Sequence, residues 1–372
     1  MRTRDLGIAV GRGTPGPNNA ITDVAGVRVG HTTLVRGEGP LVVGTGPVRT
    51  GVTAVVPSEG VGEAPVFAGC HRLNGNGELT GLEWVRESGM LTTPIALTNT
   101  HSVGIVRDAL VAADAASRSA GPVYWSLPVV GETYDGTLND INGMHVRAEH
   151  LHQALAAAAD GPLAEGNVGG GTGTICHGFK GGIGTASRVT SADTGSFNVG
   201  VLVQANYGRR ERLCVNGVPV GEAIPATEVP EPDDTAWAPG AGSIIIIVAT
   251  DAPLLPHQCE RLAQRAGLGL ARVGSVADHT SGDLFLAFST ANRGRLSSYK
   301  VGRQAEATDV TMLSDLSIGP LYEAVVEATE EAITNALVAA GTMTGRDGIT
   351  AHALPHERLV EVMTAYGRGP GT

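Results

Sequence analysis

Between Gly240 and Pro253 the chain reads Gly-Ala-Gly-Ser-Ile-Ile-Ile-Ile-Val-Ala-Thr-Asp-Ala-Pro, and this stretch constrains the fold more than any other. Ile244 to Val248 is an uninterrupted β-branched run, which fits a central strand covered on both faces; a half-exposed strand would alternate polar and apolar residues. Before it lies a polar segment, Glu222 to Pro239, with four prolines and an acidic run through Glu231, Asp233 and Asp234. Such a composition suits an exposed irregular loop. Ser243 therefore sits where an exposed loop enters a buried strand, behind a glycine that tolerates unusual dihedrals and close approach. Nucleophiles are often placed this way, and so are ordinary turn serines.

The partners are narrowed by charge. With 372 residues, a net charge of -11 and Lys180 and Lys300 as its only lysines, the chain is a poor candidate for nucleic acid or an anionic membrane surface. A small-molecule enzyme fits better. That length allows two or three average domains or one large sandwich. The 53 glycines imply many tight turns. Cys70, Cys176, Cys214 and Cys259 are widely spaced, without the pairing of a zinc or redox motif, and read as reduced, mostly buried thiols. The N-terminus lacks the apolar region of a signal peptide, and no stretch reaches the length of a membrane span. A cytoplasmic location is expected.

Taken in order, Ile21 to His31 and Thr53 to Pro57 read as strands, Glu78 to Ser88 as a short helix and Pro94 to Thr98 as a strand. Val103, Val106, Ala109, Leu110 and Ala113 have helical spacing behind Ser102, a suitable cap. Val123 to Val130 reads as a strand delivering Glu132, Thr133, Tyr134 and Asp135, polar side chains of the kind that line sites. Asn198 to Asn206 is another strand, and Asn206 could offer its amide to a site. After the isoleucine run, Thr250 and Asp251 look like a cap, with Pro253 in the first turn of a helix that buries Cys259. Ser281 and Asp283 precede the apolar strand that follows, and Pro320 to Ala340 and His356 to Tyr366 close the chain as helices.

Several tempting motifs fail on spacing. His145, Glu149, His150 and His152 match neither His-Glu-x-x-His nor its inverse, so no metal is expected. The glycine-dense stretch Gly166 to Gly184 lacks the Gly-Lys-Ser/Thr of a phosphate loop, because Lys180 stands between Phe179 and Gly181. Gly11 to Gly16 matches a dinucleotide fingerprint but opens no helix. Close backbone approach, between sheets or over a substrate, is the better use of the glycines. Ser297 to Lys300 fits Ser-x-x-Lys without the Lys-Thr-Gly that should follow.

Several longer motifs carry a resemblance across nearly the whole chain: Ile21 to His31, Gly131-Glu-Thr-Tyr-Asp-Gly136, Phe179 to Arg188, Val201 to Asn206, Gly242 to Pro253 and Ser281-Gly-Asp283. In these the chain resembles the DmpA-type aminopeptidases, the family of L-aminopeptidase D-esterase/amidases and beta-peptidyl aminopeptidases. The residues alone give only mixed strands and helices. The resemblance implies an α/β fold, a layered α-β-β-α sandwich of the DmpA/ornithine-acetyltransferase type, in a single self-processing domain. It implies cleavage between Gly242 and Ser243 into residues 1–242 and 243–372, Ser243 as nucleophile, Ser281 and Asp283 in support, Asn206 and Tyr134 as oxyanion donors, and Glu132 holding the substrate amine. A cofactor-free enzyme for short peptides, amides or esters follows, assembled as a homo-oligomer, a tetramer by resemblance. Asp283 stands where some relatives carry Glu, which keeps the carboxylate but bears on substrate range.

The chemistry is coherent. A serine hydroxyl needs a base to attack an amide, and a free N-terminal amine, with an ordinary pKa of about 8, can supply it. Cleavage creates that amine. The alternatives are an acyltransferase of the ornithine acetyltransferase type, which a threonine at the cleavage position would favour, and a non-enzymatic relative that stays intact.

Overall fold

The computed structural model describes residues 1–117, 125–192, 195–233, 242–295 and 307–371. In chain order its strands are β1 (Arg28–Arg36), β2 (Val48–Val56), β3 (Val66–Gly75), β4 (Met90–Leu91), β5 (Ile95–Asn99), β6 (Val129–Thr133), β7 (Ile175–Cys176), β8 (Phe179–Lys180), β9 (Gly182–Ala192), β10 (Gly195–Asn206), β11 (Gly242–Thr250), β12 (Ser281–Ser289), β13 (Met343–Thr344) and β14 (Thr350–Ala351). The helices are α1 (Leu82–Ser88), α2 (Val103–Ser117), α3 (Ala148–Ala156), α4 (Val220–Ala223), α5 (Pro256–Arg272), α6 (Gly319–Ala339) and α7 (His356–Ala365). The larger main sheet has the order β4-β3-β12-β11-β10-β9 and the smaller β1-β2-β5-β6, while β7-β8 and β13-β14 form two-stranded pairs. The isoleucine run is thus an inner strand, antiparallel to β10 and parallel to β12.

Alternation along β11 explains why both its faces are apolar. Ile244, Ile246 and Val248 enter a core shared with Leu262 and Ala266 of α5 and Val325 and Ile333 of α6. Ile245, Ile247 and Ala249 enter a second core with Ile95, Leu97 and Val129 of the facing sheet. A third core joins that sheet to α2 and α3 through Val52, Ala96, Val106, Leu110 and Leu151. The layers therefore run helix, sheet, sheet, helix, as expected of the sandwich.

The glycine-dense segment serves close packing. A Cβ on Gly184 would lie 2.7 Å from the backbone nitrogen of Ala336, so α6 rests directly on β9. Lys180 is wholly buried, and its ammonium closes this segment by donating to the carbonyls of Gly171 and Gly181 at 3.1 and 2.8 Å. Burial pulls it down to about 7.

Some boundaries differ from expectation. Ile21–Asp23 is a 3-10 turn and the strand starts at Arg28; likewise β6 starts at Val129, with residues 118–124 outside the described part. Ser102 lies within the 3-10 turn Thr100–Ser102, which runs directly into α2. Thr250 and Asp251 do not cap α5, which starts at Pro256. Strand pairing claims them: Thr250 pairs with Val199, its hydroxyl donates to the Asn198 carbonyl, and Asp251 accepts the Asn198 backbone and side-chain N–H groups, both at 2.7 Å. Cys259 is core, and all four cysteines are free thiols. Most of the proline-rich loop's end, residues 234–241, and Ser297 to Lys300 lie outside the described residues.

Among the described residues no helix is long and apolar enough to cross a membrane, and no three His, Cys, Asp or Glu side chains group to hold a metal. His145 is instead paired with Asp140 at 2.8 Å and Arg36 at 3.0 Å.

Candidate active site

The ends of β10, β11 and β12 bring four of the expected residues together. Ser243 pairs across the sheet with Asn206 on one side and Gly282 on the other, and Gly242 pairs with Ser281. By alternation Ser243 shares the face of Ile245 and Ile247, so its hydroxyl looks toward the second sheet. Ser243 is 3% exposed, and its buried Oγ has no hydrogen-bond partner among the described residues. Leaving a buried hydroxyl unpaired costs about 1–3 kcal/mol, a cost that marks functional positions.

Asn206 stands beside it on the same face. Two residues earlier Gln204 reaches the facing sheet, its amide donating to the Thr98 carbonyl at 2.9 Å and Thr133 Oγ1 at 2.8 Å, which fixes the direction of this row. Asn206 Oδ1 accepts the Ile175 N–H at 2.9 Å. The acceptor end of the amide is thereby anchored, and the NH2 end is left to donate. The anchor is the hairpin β7–β8, turned by His177 in the left-handed region (φ 50°) and Gly178 (φ 71°), and tied back by the His177 N–H to the Tyr207 carbonyl at 2.7 Å.

Ser281 donates to Asp283 Oδ1 at 2.7 Å, while Oδ2 is buried without a partner among the described residues. Burial pushes the Asp283 carboxyl up to about 6, against the pull of the Ser281 hydroxyl. In β12 these two share the alternation of Phe285 and Ala287, which belong to the helix-side core. They therefore flank the Gly242–Ser243 peptide from the face opposite the Ser243 hydroxyl. Gly242 is required there: a Cβ would lie 2.7 Å from the Tyr207 Cα and closer still to the Asn206 carbonyl.

Glu132, at the end of β6, is almost wholly buried and held by two neutral donors, the Glu78 N–H at 2.9 Å and the Thr100 hydroxyl. Burial raises its carboxyl above the ordinary value, and those two bonds pull it back. Gly77 separates it from the strand mouth: a Cβ there would stand 3.0 Å from Glu132 Oε1 and 3.2 Å from the Cα of Gly282, the partner of Ser243. Tyr134 follows one residue beyond β6 and folds over Gly136, where a side chain would collide with its hydroxyl. Thr100, Gly77 and Ile175 escaped the sequence reading, because each acts on a residue 31 to 55 positions away, Thr100 and Gly77 on Glu132 and Ile175 on Asn206. Of the three, Thr100 alone carries a local signal, in the polar run Asn99-Thr100-His101-Ser102 at the end of β5.

Residues 19–351 match Peptidase family S58. The chain belongs to this family. It is 52% identical over 375 residues to the beta-peptidyl aminopeptidase BapA of Sphingosinicella microcystinivorans, covering 99% of this chain and 93% of the relative. Among solved structures, a Burkholderia sp. beta-aminopeptidase superposes with a TM-score of 0.91 at 56% identity, covering 99% of both chains. The L-aminopeptidase D-Ala-esterase/amidase from Ochrobactrum anthropi, described as a prototype serine aminopeptidase and a variant of the Ntn hydrolase fold, superposes with a TM-score of 0.88 at 44% identity, again over 99% of both. The S58 chain shares that fold and is an aminopeptidase. The DmpA-type resemblance read from its motifs holds, and the acyltransferase and non-enzymatic alternatives fall away.

Proposed function

We propose that this peptidase cuts its own Gly242–Ser243 bond and then uses Ser243, with its freed α-amine as base, to release N-terminal residues from peptides, amides and esters. One observation carries the proposal: a buried serine hydroxyl, unpaired among the described residues, stands on the same face as an asparagine whose carbonyl end is anchored and whose NH2 end is left to donate. In self-cleavage Ser243 Oγ adds to the Gly242 carbonyl as its proton is withdrawn. Collapse expels the Ser243 nitrogen, which takes a proton and leaves Gly242 as an ester that water opens. In turnover the amine accepts the Oγ proton, the substrate acyl group moves to Oγ, and the leaving amine is protonated. Water, deprotonated by the same amine, then frees the acid. Asn206, with Tyr134 as a second donor, steadies the oxyanion in each step. A denaturing gel and N-terminal sequencing test the cleavage; one intact band after long incubation overturns it.

Ser281 and Asp283 act on the nitrogen side, accepting from the amine through the carboxylate and its bonded hydroxyl. The sign of the pH effect follows. Asp283 loses its proton as pH rises through about 6, and only the ionised form can hold the ammonium that the base becomes. We expect kcat to rise as that carboxyl ionises, below pH 6 because the ammonium that cleavage places beside it favours the charged form, and Asp283→Asn to lower kcat while flattening that limb. Ser281→Ala should slow processing and turnover by different factors. Wild-type rates in either processed variant would leave Ser281 and Asp283 as a structural pair at the start of β12 with no part in catalysis.

Glu132 is assigned to the substrate ammonium, through a charge-assisted hydrogen bond. Glu132→Gln keeps the shape and removes the charge, so KM for amino acid para-nitroanilides should rise about tenfold or more, while self-cleavage, which involves no free amine, proceeds. N-acetylated substrates should be poor for both forms. Since the relative at 52% identity is named a beta-peptidyl aminopeptidase and the structure at 56% a beta-aminopeptidase, N-terminal β-residues are proposed as substrates beside α-residues. A cytoplasmic homo-tetramer completes the proposal, to be checked by light scattering of the purified protein and by cell fractionation.

A further inference from the structure

We infer that Gly77 sets how long an aminoacyl group the site accepts, by fixing the span between the ammonium seat and the nucleophile. The inference rests on Glu132 holding the substrate ammonium. That carboxylate is immobile, because one oxygen is tied to the Glu78 N–H and the other to the Thr100 hydroxyl. The nucleophile is equally fixed, within a strand pair in which Gly282 stands beside Ser243. What lies between them is Gly77, whose missing side chain would sit 3.0 Å from Glu132 Oε1, 3.2 Å from Gly282 Cα and 3.8 Å from Leu284 Cδ1. The first two separations are shorter than ordinary carbon contacts of about 3.5–4.0 Å. A methyl there would occupy the ground in front of Oε1 and hold a bound ammonium closer to Ser243.

A β-aminoacyl group has one more methylene between nitrogen and carbonyl than an α-aminoacyl group, a lengthening of about one C–C bond, ~1.5 Å at most. A shortened span therefore discriminates against it. Gly77 has no left-handed φ, so alanine can take its backbone conformation. Glu132→Asp does the reverse, drawing the carboxylate back by one methylene and lengthening the span.

The test compares alanine para-nitroanilide with β-alanine para-nitroanilide in processed wild type, Gly77→Ala and Glu132→Asp, with processing and Tm followed in parallel. Gly77→Ala should lower kcat/KM for the β-substrate at least tenfold more than for the α-substrate, and Glu132→Asp should move the ratio toward the β-substrate. If the enzyme demands a free amine yet neither variant moves the ratio, the inference is overturned. Should wild type cleave N-acetylalanine para-nitroanilide as fast as the free amine, the Glu132 assignment itself fails, and this inference with it.

Discussion

Ser243→Ala will remain a single 38.0 kDa chain with no measurable aminopeptidase turnover, whereas Ser243→Cys will still divide into chains of 242 and 130 residues (372 minus 242). Alanine removes the attacking oxygen and little else, since Ser243 Oγ makes no hydrogen bond among the described residues whose loss could disturb the fold. Removing a serine nucleophile that works with a base typically costs on the order of 10⁶ in kcat. Cysteine restores a nucleophile with a more acidic proton, so it should process, if at a different rate. The two chains should stay together after cleavage. The five side chains of Ile244 to Val248 are fully buried, each worth about 1.5–3 kcal/mol, and their sum is comparable with the whole net stability of a folded domain, about 5–15 kcal/mol. The second chain can leave only if both main cores open. Full activity in Ser243→Ala would move the nucleophile elsewhere; separation of the wild-type fragments without denaturant would contradict the buried position of β11.

Much of this arrangement is legible from local composition, and the illegible part has a common cause. β11 declares itself because β-branched residues on both faces admit one environment. The strand β2 does so only from Thr53 onward: Arg49, Thr50 and Gly51 look solvated, yet the whole strand is buried. The Arg49 guanidinium is satisfied by the carbonyls of Arg36, Gly37, Val48 and, from the far end of the chain, Thr344. No window of sequence contains that partner. Thr250-Asp251 misleads for the same reason, since a good local cap lost to a strand neighbour more than 50 residues away. At the site, Ser243, Ser281 and Asp283 mark strand mouths and can be picked out. Which face each occupies, and that Gly77 stands between Glu132 and Gly282, emerge only from pairing register and sheet stacking.

Asn206→Asp will lower kcat by about 10²–10³, with little change in KM, and will slow self-cleavage as well. The substitution separates two jobs that one side chain performs. Asn206 Oδ1 holds the hairpin through the Ile175 N–H, and an aspartate oxygen can keep that bond at the same 2.9 Å. The NH2 end, in contrast, becomes an oxygen that donates nothing and, when ionised, repels the charge developing on the substrate carbonyl. Shape and anchor survive while the donor is lost, so the expected loss belongs to the transition state and appears in kcat. Asn206→Ala removes anchor and donor together, freeing the hairpin, and should add a fall in Tm to a similar loss of rate. Because Gly242 meets the same donor during processing, the slower band conversion on a gel gives a second reading of one interaction. If Asn206→Asp turns over within tenfold of wild type, the oxyanion is held by other groups, and Tyr134→Phe then becomes the variant that must show the loss.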